Sequence, residues 1–338
     1  ESQRTTGNDF QLVKDFYALK TEGNFENNKI ILHAPLSLED YSRKMSGNFS
    51  EYQESLERAL ISLHKVRKKR VKPEIDTKIL SSWNAWMLIA FCDAYQSTGK
   101  IQYLKEAQNL AVFIKTNLID PDNFVTRGKD LKITGFLDDY SYVANAFIHY
   151  YQVSFEKEYL DTAHEIVKKA YMHFFEKKTG MFYYTPDFEN NPVARQSDTM
   201  DNVLPSANSV MAHNLFLLST YTDELQYKAD ALQMLRNINP YINQSAGFFF
   251  NWSELLLMFR SEFSEIVFVG ENYLKLREQF TGKSLPFTLF AGAEREEKSD
   301  LFKGRYKPGE TLIYICKDKT CKRPVESIDE AWQQLINQ

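Results

Sequence analysis

Cysteine is scarce in this chain. Its 338 residues carry three, too few for a disulfide framework. Cys92 sits inside an apolar run and reads as packing. Cys316 and Cys321 flank KDKT near the C-terminus, without the further His or Cys that a zinc site needs. No metal is expected, and a reducing, cytoplasmic setting is the simpler reading. Long apolar runs are also missing, since nothing approaches the roughly 18 to 20 residues of a membrane span. Nor is there a basic excess. The 41 Lys and Arg stand against 45 Asp and Glu, for a net charge of −4, which argues against nucleic acid or an anionic membrane as partner. No HExxH, GxSxG, CxxC or EF-hand spacing occurs, so zinc-peptidase, serine-hydrolase and dithiol chemistry are unsupported. Without a GxGxxG or P-loop, no cofactor is expected. The chain opens on polar ESQRTTGND without an initiator Met, which reads as a segment boundary, so a missing targeting segment excludes little.

Aromatic residues, at 14%, are plentiful. They suit the core of a large helical domain and also the lining of a sugar-binding cleft. Their spacing is periodic. Residues 8–20 read as a short amphipathic helix, Ser37 as an N-cap, and 50–70 as a longer helix ending in the basic run RKKR. Beyond that, two helix types alternate. The segments from Trp83, Asp138 and Pro205 are apolar almost all round, which implies burial on all sides. Those from Ile101, Glu158 and Glu224 are amphipathic, with one wet face. Tyr103 follows Trp83 by 20 positions, Tyr159 follows Asp139 by 20, and Tyr227 follows Ser206 by 21. Each pair closes in an aromatic return: DPDNFVTR, TGMFYYTP and SAGFFFNW.

Such a repeat describes α-hairpins laid side by side. An open solenoid or a ring with the buried helices inside would both satisfy it. Repeats longer than the usual 34 to 47 residues of a solenoid favour the ring. The expected fold is therefore mainly α, an α/α toroid over 1–262, incomplete if only three or four hairpins form. From Ser264 the period changes to strands EIVFVG, LPFTLFAG and TLIYICKD with short helices, a small α/β appendage over 263–338.

Chemistry is expected at the helix openings, which a ring brings to one end. They are Asp76 with Trp83 and Asn84, then Asp138-Asp139-Tyr140, then Asp201 with Ser206, Asn208 and Ser209. Acids and serines there serve as caps, yet paired carboxylates are also what glycoside chemistry uses. Asp138, Tyr142, Asn145 and His149 fall on one face of an otherwise apolar helix, as do Ser206, Ser209 and His213. Buried polar stripes need partners or water, so they mark a wet lumen or a helix–helix hydrogen-bond seam. Asp139 points about 100° away from Asp138 and is the better cap.

The segments DTKILSSWNAWMLIA, GFLDDYSYVANAF, EYLDTAHEIVKKAYMHFF and DNVLPSANSVMAHNL resemble the C-terminal region of a family that couples a thioredoxin-like domain to a six-hairpin glycosidase-like α/α toroid. The tail IYICKDKTCKRPVESIDE resembles it as well. The resemblance spans roughly 22–330 and implies kinship with glycosidases and N-acylglucosamine 2-epimerases, with no assigned reaction. Ala85 and Ala207 stand where that family usually has Gly. Two functions follow as expectations. One is a carbohydrate ligand in the toroid mouth, with Asp138 or Asp139 as acid/base, Asp76 or Asp201 as counterpart, and Trp83, Asn84 and Tyr140 binding. The other is a non-catalytic scaffold beside a thioredoxin-like domain supplied upstream or in trans.

Overall fold

A computed structural model describes residues 6–188, 194–318 and 320–336. It divides into two units, Glu1–Thr77 and Lys78–Gln338. In the first, helices α1 (Phe10–Phe16), α2 (Leu38–Lys44) and α3 (Phe49–Lys68) enclose a small cluster of Phe16, Tyr41 and Leu56. Ser37 caps α2 by accepting from the Asp40 N–H at 3.1 Å, as its position before the acidic turn implies. Asn48 does the same for α3, accepting from Ser50.

The second unit holds the repeat. Inner helices α4 (Ser81–Thr98), α6 (Leu137–Ser154) and α8 (Ala207–Thr222) alternate with outer helices α5 (Ile101–Asn117), α7 (Lys157–Phe174) and α9 (Leu225–Ser245). Each outer helix packs on its own inner helix, and α6 packs between α4 and α8. This is the mainly α, α/α-toroid arrangement, here an arc of hairpins. The Tyr-x-x-x-Ala pairs supply the seam, because Ala107, Ala163 and Ala231 are fully buried and let inner and outer helices approach closely.

Three expectations change. The return SAGFFFNW does not stay a return: from Phe250 it becomes a further inner helix, α10 (Phe250–Arg260), which packs on α8 and α9. Burial on all sides holds for α6, where 14 of 18 residues are buried, but not for α4, where 7 of 18 are. α6 has a neighbour on each flank, whereas α4 leaves Trp83 67% and Met87 52% exposed. The expected boundary at 262/263 falls inside the second unit.

That last result has a packing cause. The appendage is a four-stranded sheet in the order β4-β3-β5-β6, with β3 (Ser264–Val269) parallel to β4 (Thr288–Ala293), which it reaches through α11 (Tyr273–Glu278). β5 (Leu312–Lys317) is antiparallel to β3, β6 (Thr320–Cys321) follows it, and α12 (Ile328–Ile336) closes the chain. A short hairpin, β1 (Phe175–Glu176) with β2 (Met181–Phe182), lies earlier, after α7. β4 rests directly on the end of α6. Gly292 lies so close to the Phe155 ring that a Cβ there would meet it at 2.3 Å, and Tyr221 donates to the Phe290 carbonyl at 2.7 Å. The appendage is thus part of the hairpin core.

The cysteines also depart from expectation. Cys316 and Cys321 face each other across the β5–β6 pair and form a disulfide, Cα to Cα 3.9 Å. The antiparallel register brings them opposite one another, which a four-residue spacer does not reveal by itself. Cys92 is free and buried, as its apolar surroundings suggest.

Candidate active site at the inner-helix openings

Asp139 organises the opening of α6. Its carboxylate is fully buried. Oδ2 accepts from the Phe136 N–H at 3.1 Å, closing the first turn of its own helix, while Oδ1 accepts from the Ser82 N–H at 3.1 Å and so caps the neighbouring α4. One side chain therefore satisfies orphan donors of two adjacent repeats. Burial, then the like charge of Asp138, push its carboxyl up to about 7, against the pull of Arg127 and the Phe136 N–H.

Asp138 differs. Its side chain is 17% exposed, and both oxygens face Arg127 Nη1, at 3.0 and 2.8 Å. The same nitrogen lies 2.9 Å from Asp139 Oδ2. Arg127 comes from the return after α5 and also covers the Phe136 ring, which stacks on Tyr184. A second acid is close enough to feel this charge. Asp198 is exposed on the segment before α8, and its carboxyl is raised by partial burial and by the charges of Asp138 and Asp201, against the Ala207 N–H. Tyr142 and Tyr184 are likewise raised, by burial first and then by Asp138. The charge of Asp138 thus acts on Asp198, Tyr142 and Tyr184 alike.

The third opening is built on Asp201, which is 1% exposed. It accepts from Ser206 N–H at 2.8 Å, Ser209 Oγ at 3.0 Å and Asn251 N–H at 2.9 Å, tying α8 to α10. Ser206 is the N-cap, accepting from Ser209 N–H. Asn208 exchanges bonds with both backbone groups of Phe182 and donates to the Asp198 carbonyl. Asp201, Ser206, Asn208 and Ser209 thus all have structural partners.

Of the other expected residues, Asp76 belongs to the first unit, in an exposed irregular stretch. Asn84 folds back to its own helix, donating to the Leu80 carbonyl at 2.7 Å. Tyr140 is fully buried against Phe174. The α6 stripe divides into seam and lumen. Tyr142 donates to the Pro205 carbonyl at 2.5 Å and meets Trp86 edge to face. Asn145 donates to Asn214 at 2.8 Å, and Asn214 donates to the Ser141 carbonyl. His149 is open, 31% exposed and 3.7 Å from Asp93. His213 Nε2 lies 2.9 Å from the Asn251 carbonyl, so the ring donates there, and burial holds its pKa down.

Asn145, His149 and His213 line one cleft of about 330 Å³, together with Trp86, Asn251 and Glu254. All four inner helices contribute to it, so it is the concave face of the arc. Residues absent from the sequence expectations are Arg127, Tyr184, Asp198, Asn251 and Asp93. A second acid ahead of Asp201, in QSDTMD, was the only sequence signal for any of them. Among the described residues, no cluster of three His, Cys, Asp or Glu is placed to hold a metal, and no helix is long and apolar enough to cross a membrane.

This geometry can be set beside known proteins. No family model matches the chain. It is 22% identical over 352 residues to human spermatogenesis-associated protein 20, covering 93% of this chain and 44% of that one. It is similar to that protein along most of its own length. The mouse protein of the same name is 25% identical over 63% of this chain, covering 30% of its own length. An uncharacterized Caenorhabditis elegans protein, B0495.5, is 23% identical over 97% of this chain and 48% of its own. The chain thus spans about half or less of the length of these relatives. Similar solved structures include the GH76 α-1,6-mannanase from Salegentibacter sp. HEL1_6, at 15% identity, 70% coverage of each chain and TM-score 0.42. Another is cellobiose 2-epimerase from Bacillus thermoamylovorans B4167, at 16% identity, 48% and 45% coverage and TM-score 0.40.

Proposed function

We propose that the openings of the inner helices form a carbohydrate-binding mouth in which Asp138 and Asp198 are the acid/base carboxylates. One observation carries this reading: Asp138 keeps its carboxylate partly open, and its charge reaches a second acid, Asp198, raising that carboxyl. Asp139 and Asp201 are committed to backbone donors away from solvent, so they serve as positioning residues for this pair. A carboxyl raised by a charged neighbour is suited to protonate a leaving oxygen, while an ionised partner held by an arginine is suited to act as base or nucleophile. The exposed indole of Trp83 supplies a face on which a sugar ring can stack. The chemistry would be hydrolysis or epimerisation at a sugar carbon.

The test is a glycan-array and turnover screen of the wild type, Asp138→Asn and Asp198→Asn. Loss of turnover with retained folding in both variants supports the reading. Unchanged turnover in either removes that residue from it.

A specific feature favours a second reading, in which the domain binds a ligand or a thioredoxin-like partner without chemistry. Arg127 pairs with both Asp138 and Asp139, which is also how a purely structural acid cluster is held. In that case Asp138→Asn leaves ligand affinity nearly unchanged.

A further inference from the structure

A second cleft, of about 580 Å³, lies where the end of α6 meets the appendage. It shares Asp93, His149, Gln152 and Thr288 with the concave-face cleft, so the two are continuous. Its wall contains Arg277, a residue with an unusual charge balance. The side chain is 2% exposed. Nε donates to the Gln152 carbonyl at 2.8 Å, near the end of α6, Nη2 donates to Gln96 Oε1 at 2.6 Å, and the guanidinium lies 4.0 Å from the Phe290 ring centroid. Nη1 has no hydrogen-bond partner, and among the described residues no carboxylate is one of the groups that act on it.

A buried guanidinium normally has an acid as counter-charge, because taking it out of water is costly unless the charge is paired. Here its partners are a carbonyl, an amide and a ring, all neutral. The ionisable groups acting on it are Tyr95, Tyr221 and Cys92. Burial pushes each of these up, so all three are uncharged near neutral pH. Asp93 also lines the cleft, but its side chain is 65% exposed and lies by His149. The partial negative charge at the end of α6 offsets some of the cation. What remains favours an anion in a cleft whose wall adds Lys283, Ser284 and Thr288.

We infer that this cleft binds a small oxyanion, the phosphate or carboxylate group of a small molecule, with Arg277 as its buried counter-charge and the hydroxyls and amides of the wall as ligands. A buried positive charge attracts both groups alike, so the two sources are distinguished by experiment. The inference stands apart from the mouth, which lies at the other end of α6.

Calorimetric titration of the intact chain at fixed ionic strength with inorganic phosphate, and separately with acetate, tests it. At least one anion should bind with a millimolar dissociation constant or better. Arg277→Met should weaken that binding at least tenfold. Because Arg277→Met removes two buried hydrogen bonds on which folding also depends, Ser284→Glu serves as a second variant. Ser284 is exposed, so the change leaves the fold intact and places a fixed negative charge in the cleft. It too should weaken binding at least tenfold. Failure of both anions to bind the wild type overturns the inference, as does wild-type affinity in Ser284→Glu or in folded Arg277→Met. Which anion binds names the source. Carbohydrate binding at the mouth is measured separately, so either result can fail alone.

Discussion

The two ends of α6 carry opposite charge balances. At its N-terminus two carboxylates, Asp138 and Asp139, share one partly exposed arginine, Arg127, and a third acid, Asp198, feels the charge of Asp138. At its C-terminus one buried arginine, Arg277, has no carboxylate partner among the described residues. Both signs suit the helix dipole, which favours acids at the start and cations at the end. The difference lies in compensation. Backbone N–H groups and Arg127 give every oxygen of Asp139 a partner inside the fold, while carbonyl, amide and ring leave Arg277 with charge to spare. A charge that the fold has already satisfied holds structure, whereas one left over is available to a ligand.

The largest expected effect breaks the satisfied side. Asp201→Ala removes an acceptor from two backbone donors and a hydroxyl. It should cost about 4.5 kcal/mol or more in urea unfolding, at roughly 1.5 kcal/mol or more for each of these three hydrogen bonds to a charged group. Next, Arg127→Met leaves Asp138 and Asp139 facing each other. A broken buried pair costs about 3–5 kcal/mol, and the 22% exposure of Arg127 puts the expectation at the lower end. If Asp138→Asn costs as much stability as either, the division into positioning acid and open acid fails, since Arg127 keeps its pair with Asp139 and the change should cost only about 1–2 kcal/mol.

Acid–base behaviour sharpens the same division. With its carboxyl raised to about 7, folded Asp139 keeps a proton that the unfolded chain releases near pH 4. Its contribution to stability is complete below about pH 4 and is lost as pH rises through 7. In Asp139→Asn the midpoint of urea unfolding should change less with pH across that window than in the wild type. The smallest effect belongs to Trp83→Ala. At 67% exposure it should alter stability by no more than about 0.5 kcal/mol while weakening any stacked ligand.

What the sequence revealed follows from what is local. Helix type is a 3.6-residue pattern, so α4 to α9 could be read directly, and so could the capping role of Asp139, because the acceptor and its Phe136 donor are three positions apart. The α10 helix was hidden because its aromatic start resembles the two earlier returns. The exposed face of α4 was missed because a helix apolar all round does not declare that it stands at the edge of the arc. The charge balances were not legible. Arg127 meets Asp138 eleven positions later with no periodic relation, and Arg277 reaches Gln152 and Gln96 across 125 and 181 positions. In KLREQF it reads as an ordinary surface cation. Likewise, only the strand register brings Cys316 opposite Cys321.

The mouth is tested most directly by measuring glycan binding and turnover in Asp138→Asn and Asp139→Asn side by side, with folding checked in each. The account expects Asp138→Asn to fold with only a modest loss of stability and to lose turnover. Asp139→Asn should chiefly change stability and its pH dependence, keeping turnover wherever it remains folded. Turnover that survives Asp138→Asn but is lost in folded Asp139→Asn would contradict it.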